Sequence, residues 1–327
     1  MNSVGFAGSK MRRYIIRRLL WAIPTFLGAV TIIFLLMKVL PGDIAMLIIS
    51  AESGAIDPEY LALLREQLGL NVPLYQQYFS WLGGLFHLDL GTSLWTGQPV
   101  ISEILHRLPY TGSLVILAMF ISIITAVPIG VLSAIRQDSW LDYTLRSGII
   151  AGISIPSFWF AMLLLLFVVS VFKYYPPLEY ATLFTQPLVS IQQLFMPALT
   201  LGIRLAASAA RMMRSSMLEV MREDYVRTAR AKGLTERVVL YGHALRNAIL
   251  PVVTIFGMEL AFLFGGTVII ETVFNIPGIG LLLINAINMR DIIMVQGIVA
   301  TLVVIVLVIN IMVDVLYAWI DPRIRYR

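Results

Sequence analysis

From Ser113 to Ile135 the chain reads SLVILAMFISIITAVPIGVLSAI, with no charged side chain anywhere in the run. About 20 apolar residues in a helix cross the ~30 Å hydrocarbon layer of a bilayer. Lipid offers no hydrogen-bond partner to a bare backbone, so a run of this kind is held as a helix, whose amides and carbonyls satisfy one another. The stretch places the chain in a membrane before anything else is read. Composition agrees: 59% of the 327 residues are hydrophobic and 13% are charged, against about 25% charged in a soluble domain.

Six spans are expected. The first runs from about Arg17 to Lys38, the second is Ser113 to Ile135, and the third, Ser147 to Phe172, is equally free of charge. The fourth is short, Pro197 to Ala210, and carries Arg204. The fifth, Ala248 to Ile270, contains Pro251 and Glu259, and the sixth covers about Val295 to Val313. Tyr317 and Trp319 after it suit an interfacial aromatic belt. The fold class is an all-α polytopic membrane protein. Gly28, Gly130, Gly152, Gly265 and Gly266 are expected at close helix-packing positions.

Lysine and arginine set the orientation. With the N-terminus inside, the inner face receives Lys10, Arg12, Arg13, Arg17, Arg18, Arg136 and Arg146, the eight cations from Arg211 to Arg246, and Arg323, Arg325 and Arg327. The outer face receives Lys38, Arg65, Arg107, Lys173 and Arg290. The bias predicts that both termini lie in the cytoplasm, and it accounts for the net charge of +5 without a nucleic-acid partner. The N-terminal segment reads as an uncleaved anchor.

The longest extramembrane piece follows the first span. Asp57 is expected to cap a helix that opens at Pro58, with Leu61, Leu64 and Leu68 on one face and Gly69 ending it. A second amphipathic stretch runs from Val72 to Leu85. The expected layout is a cytoplasmic segment 1–16, a first span 17–38, an extracytoplasmic helical subdomain 39–108, a core 109–320 with a cytoplasmic loop 211–248, and a cytoplasmic tail 321–327.

Several chemistries are excluded. There are no cysteines, so disulfides and zinc–thiolate sites are absent. His87, His106 and His243 lie far apart, with no metal-ligand spacing among them, and no Ser–His–Asp order is compelling. Gly8-Ser9-Lys10 lacks the upstream glycine of a phosphate loop, so a nucleotide that drives this chain must bind elsewhere.

The segment DYVRTARAKGLTERVVLYGHALRNAILP, Asp224 to Pro251, is the longest strongly polar stretch. Asp224 can start and cap a short helix that ends at Gly233, the position that favours a left-handed residue, and Thr235 can cap a second helix reaching Pro251. Two readings stand: a solvated basic hairpin, or a docking surface in which Tyr225, Val226, Ala229 and Gly233 form a face that a partner backbone can approach.

These residues resemble the cytoplasmic signature loop of permeases in binding-protein-dependent ABC importers, in the branch handling dipeptides, oligopeptides, nickel and glutathione. RRYIIRRLLWAIPTFLGAVTIIFLL with LPGD, REQLGLNVPLYQQYFSWL, LGTSLWTGQPVISEILHRLP, ETVFNIPGIGLLLINAINMRD and LYAWIDPRIRY are similar to that branch's B-type subunit. Arg227-Thr228-Ala229 stand at the Glu-Ala-Ala position and Gly233 at the signature glycine, so the leading Glu is absent. The resemblance implies a coupling helix over Asp224, Tyr225, Val226, Arg227, Thr228, Ala229, Arg230, Ala231, Lys232 and Gly233. It implies as partners a homologous second permease, two ATPase subunits and an extracytoplasmic solute-binding protein. It also implies no catalytic residue and no cofactor in this chain, with ATP and Mg on the ATPases.

Arg204 and Glu259 lie inside spans, where an ionised group costs about 2.5–3.5 kcal/mol unless it meets water or a partner. They either face a translocation cavity or pair between helices. The outer loop Glu271 to Met294, with Pro277, Gly278 and Gly280 at its turn, either helps form an external gate or caps the bundle. An ion-coupled secondary transporter is the alternative class, with Glu259 as its one available ligand.

Overall fold

The computed structural model describes residues 3–39, 46, 58–67 and 71–320, with side chains from 15 to 316 apart from 64 and 67. Asp57 and Gly69, expected to start and stop the first outer helix, lie outside the described residues, as do the LPGD turn and the tail from 321.

The described chain is helical, with one isolated bridge between Thr92 and Pro99. In order it has α1 (Ser3–Val39), α2 (Pro58–Gln67), α3 (Leu74–Phe86), α4 (Val100–Ile135), α5 (Trp140–Ser154), α6 (Ser157–Phe172), α7 (Pro187–Val220) and α8 (Asp224–Ala231). A π-helical segment (Val238–Ala244) follows, then α9 (Leu245–Ala248), α10 (Leu250–Phe274), α11 (Ile279–Asn288) and α12 (Ile292–Ile320). Five helices are long and apolar enough to cross a bilayer, or six where the bent pair α5–α6 counts as one span. This is an all-α polytopic membrane protein. Side chains such as Trp21 and Phe262, exposed on the single chain, belong where lipid or another subunit is the solvent.

Two spans differ from expectation. The third is not one helix: α5 and α6 meet at 104°. Pro156 has no N–H to continue the ladder and disfavours the helical region for the residue before it, and Ile155 is extended at φ −79, ψ 123. The fourth is not short: α7 runs for 34 residues. Its alanine-rich middle lies against α4, and Gly130 marks the tightest approach, since a Cβ there would sit 2.5 Å from Met213 Cβ. Beyond the apolar stretch the helix continues because Met213, Ser216 and Met217 still find buried positions.

α4 and α7 form the centre, and α10 packs on both. One core cluster gathers Leu114, Ala118, Leu194, Ala198, Leu201 and Ile270; another gathers Ala126, Val131, Ala210, Met213, Met217 and Val252. α1 packs on α12, and Arg18 and Asp314 form an ion pair of 3.0 Å that sets the start of α1 beside the end of α12. Counting crossings from there puts the α4–α5 turn and residues 221–249 at that same end, called here the basic end.

At the opposite end α3 is held against α1. Thr31 Oγ1 and Tyr78 Oη lie 2.7 Å apart, and Phe34 contacts the Tyr78 and Trp81 rings. α4 begins at Val100, so this helix runs through the expected boundary at 108/109.

Candidate functional site

At the basic end, α8 leaves α7 after a turn at residues 221–223. Glu223, not Asp224, occupies the N-cap position, and no side chain caps it. Asp224 is the first helical residue, exposed, with its carboxylate 3.4 Å from Arg227 and its carbonyl accepting from Thr228 Oγ1 at 2.9 Å. The helix ends as a Schellman turn. Gly233 has φ +78; its N–H donates to the Arg230 carbonyl and the Leu234 N–H to the Ala229 carbonyl.

Half of the face expected to meet a partner is covered within the chain. Val226 and Ala229 are buried against Val239, with Val220 beside them, and the Tyr225 hydroxyl accepts from Asn247 Nδ2 at 2.7 Å. Arg230 grips Glu236 through two bonds, Nη2 to Oε1 at 2.8 Å and Nε to Oε2 at 3.2 Å, which holds the Glu236 carboxyl below its ordinary range. Left outward are Asp224, Tyr225, Arg227, Thr228, Arg230, Ala231, Lys232 and Gly233, and nothing lies within 4 Å of where a Gly233 Cβ would be. An open cavity of about 550 Å³, lined by Ser215, Glu219, Arg222 and Asp224 among others, adjoins the helix.

The second helix of the loop is irregular. The Thr235 carbonyl accepts from the Val239 N–H at 3.1 Å, and Val238–Ala244 is wound as a π-helix, a form that is rare and frequent at functional sites. Leu240, Ala244 and Ala248 pack in the same cluster as Met213 and Met217 of α7. This loop is thus fastened to the end of α7.

A polar cluster near that end was not foreseen. Asp142, in the first turn of α5, is fully buried. It accepts from Arg214 Nε and Nη2, from the Asp138 N–H and from the Ser133 hydroxyl. Such bidentate charge-assisted bonds are the strong ones. The sequence signal is faint, because the partners stand 72 positions apart.

Beside the α5–α6 bend, Arg204 and Glu259 line one half-open cavity of about 420 Å³, with Ser157, Phe262, Gly265 and Gly266. The bend at Pro156 brings Ser157, the first residue of α6, to this cavity. Among the described residues no salt bridge joins Arg204 to Glu259, although both border the same cavity. Two glycine expectations are corrected too, because a Cβ at Gly28 or Gly265 would meet nothing within 4 Å. Gly130 is close-packed, and a Gly152 Cβ would lie 3.1 Å from Ala207 Cβ.

At the opposite end Pro277, Gly278 and Gly280 form the turn into α11. Gly278 is its N-cap and has no side chain to offer. Glu271, fully buried at the end of α10, serves instead: its Oε2 accepts from the Leu281 N–H at 3.1 Å. Thr111 Oγ1 of α4 accepts from the Ile279 N–H at 2.9 Å and donates to Glu271 Oε1 at 2.7 Å. A Cβ on Gly278 would land on that carboxylate, and one on Gly280 would sit 2.5 Å from Val268 Cα. Asp291 plays a similar part nearby, accepting from Ser93 Oγ at 2.6 Å and the Leu94 and Met294 amides. Glu271 was read only as the start of a loop; the clue was an acid at the end of an apolar run, before a Gly-x-Gly turn.

The fold and its loops define a class, the multi-pass permease subunit of an ABC importer. The match to known proteins narrows this. Residues 126–326 match the family described as binding-protein-dependent transport system inner membrane component, and residues 11–115 match the N-terminal family that accompanies it. The chain belongs to this family of inner-membrane components. It is 43% identical over 316 residues to a putative peptide transport system permease protein of Brucella abortus, covering 97% of this chain and 100% of the relative. It is 40% identical over 317 residues to a glutathione transport system permease protein of Escherichia coli O6:H1 and 39% identical over 319 to an oligopeptide transport system permease protein of Bacillus subtilis, each covering 97% and 100%. Among solved structures, the inward-facing MetNI methionine ABC transporter aligns with 67% of this chain and 96% of its own at TM-score 0.56 and 17% identity. An amino acid ABC transporter crystallised with histidines gives TM-score 0.51 at 17% identity, over 67% and 94%. At that identity the likeness concerns the fold. The ion-coupled alternative finds no support among these proteins.

Proposed function

We propose that this permease carries short peptides or a close chemical relative, and that its ATP-derived motion enters through α8. The observation that carries the reading is the short helix Asp224–Ala231, closed by a left-handed Gly233 and fastened by Val226, Ala229 and Tyr225 to the segment Val238–Ala248, which itself packs on the end of α7. A force applied to its outward residues is passed through that segment to a membrane-crossing helix. Two ATPase subunits, holding the nucleotide and Mg that this chain lacks motifs for, dock there. The lysine and arginine bias supports a cytoplasmic placement of the basic end and of both termini.

A homologous second permease completes the pathway, and Arg204 and Glu259 face it. The solute-binding protein delivers substrate at the opposite end, where Pro277, Gly278 and Gly280 shape the outer gate. The peptide class is supported by relatives that are peptide, oligopeptide and glutathione permeases. The test is reconstitution with the ATPases and binding protein. Gly233→Val is expected to insert and assemble while ATP hydrolysis no longer drives uptake. Normal coupling in that variant would remove the mechanical role.

A further inference from the structure

The cavity beside the α5–α6 bend holds two unlike charges that do not meet. Arg204 on α7 and Glu259 on α10 both line it, and these helices pack against each other, yet no salt bridge joins the two side chains. On this chain the cavity is a half-open cleft, with Arg204 exposed and Glu259 half-buried, and opposite charges bordering one cleft of a membrane-spanning chain would gain from closing on each other, since each finds a partner that lipid and leucine cannot supply. Keeping them apart leaves a guanidinium and a carboxylate both open to a third party.

The cleft is also kept wide. Gly265 and Gly266 line it, a Cβ on Gly265 would meet nothing within 4 Å, and one on Gly266 would reach only Leu201 at 3.9 Å. These glycines are not spent on bringing helices together, so their missing side chains serve the space itself. Its volume of about 420 Å³ lies in the range of small-ligand sites, roughly 300–1,000 Å³, and Phe262 and Leu201 give it apolar wall.

We propose that Arg204 and Glu259 form a zwitterion clamp within the pathway, the guanidinium receiving a free α-carboxylate and the Glu259 carboxylate receiving a free α-ammonium of a short peptide. This rests on the peptide-importer reading. A planar guanidinium suits a carboxylate through paired N–H bonds, and a carboxylate accepts from an ammonium. Separated charges on two helices select a ligand that carries both signs at once. The site would discriminate termini rather than side chains, as a carrier of many peptide sequences requires.

The test uses the reconstituted importer, with its ATPases, second permease and binding protein, and three probes: trialanine, its C-terminal amide and its N-acetyl form. Uptake of each is measured with the binding protein saturated, so that loading affinity cancels. The wild-type complex is expected to favour free trialanine over both blocked forms by roughly tenfold, the scale of one charge-assisted contact. Arg204→Gln is expected to bring the free-to-amide ratio near one while sparing the free-to-acetyl ratio, and Glu259→Gln to do the reverse. Glu259→Asp, which keeps the charge, should restore its ratio, and Arg204→Lys, which keeps the charge without the paired bonds, should restore its ratio in part, even where the Gln variants impair assembly. ATP-dependent uptake with ratios near one in the wild type, or unchanged in both variants, overturns the clamp alone. No uptake of any probe by the wild type overturns the peptide reading and the clamp with it.

Discussion

Arg214 holds Asp142 with both ends of its guanidinium fork, Nε to Oδ1 at 2.9 Å and Nη2 to Oδ2 at 2.7 Å, and so ties the far end of α7 to the start of α5. Asp142 is wholly buried while the Arg214 side chain keeps 17% exposure. Ser133 on α4 joins the same cluster. Three membrane helices are therefore tied together just before the chain turns into α8.

Removing one partner of a buried pair leaves the other charge stranded, at a cost of about 3–5 kcal/mol. Asp142→Ala and Arg214→Ala are each expected to lower the thermal midpoint of the purified complex. The double variant should lose much less than the two losses added, because no orphan charge remains. Strict additivity in that cycle would show that the pair is not coupled.

Glu271 and Thr111 cap α11 in place of its own residues, so their effects should be read at the helix they cap. In Glu271→Ala the Leu281 N–H loses its acceptor, and a buried unsatisfied group costs about 1–3 kcal/mol. Hydrogen exchange across residues 279–281 is expected to quicken in Glu271→Ala and in Thr111→Val, with α7 amides unchanged. Gly278→Ala should give the same local loosening, since its methyl group displaces the carboxylate. Unaltered exchange at α11 in all three would dismiss the capping role.

How much of this was readable from the residues varies with the range of the interaction. The six crossings, the outer helices and the left-handed Gly233 rest on runs, caps and turns that lie within a few residues of each other. The break after Ile155 was equally local, yet the absence of charge between Ser147 and Phe172 outweighed Pro156. Asp142–Arg214 and Thr111–Glu271 were out of reach, because each joins residues 72 and 160 positions apart, and only the packing of α4, α7 and α10 brings them together. The face of α8 was misjudged for a related reason: Val226 and Ala229 read as an open apolar face until Val239 is found lying on it.

Gly233 can be tested more sharply than by a bulky residue alone. Its φ of +78 is costly to most side chains, roughly 1–2 kcal/mol, and most of all to β-branched ones. Asn tolerates this conformation, and open space surrounds the position. Gly233→Asn is therefore expected to keep most transport per ATP hydrolysed, where Gly233→Val loses it. Equal losses would mean that the volume of the side chain matters and the backbone conformation does not.

The absence of cysteine permits a direct map of the docking face. Ala231→Cys and Thr228→Cys lie on the exposed side of α8, and Ala229→Cys on the side buried against Val239. With the permeases alone in membrane vesicles, a membrane-impermeant maleimide applied to the cytoplasmic face is expected to label positions 228 and 231 and to spare 229. Adding the ATPase subunits should then protect 228 and 231. Labelling from the outer face would reverse the orientation, and full labelling of 231 in the complete importer would place the ATPases elsewhere.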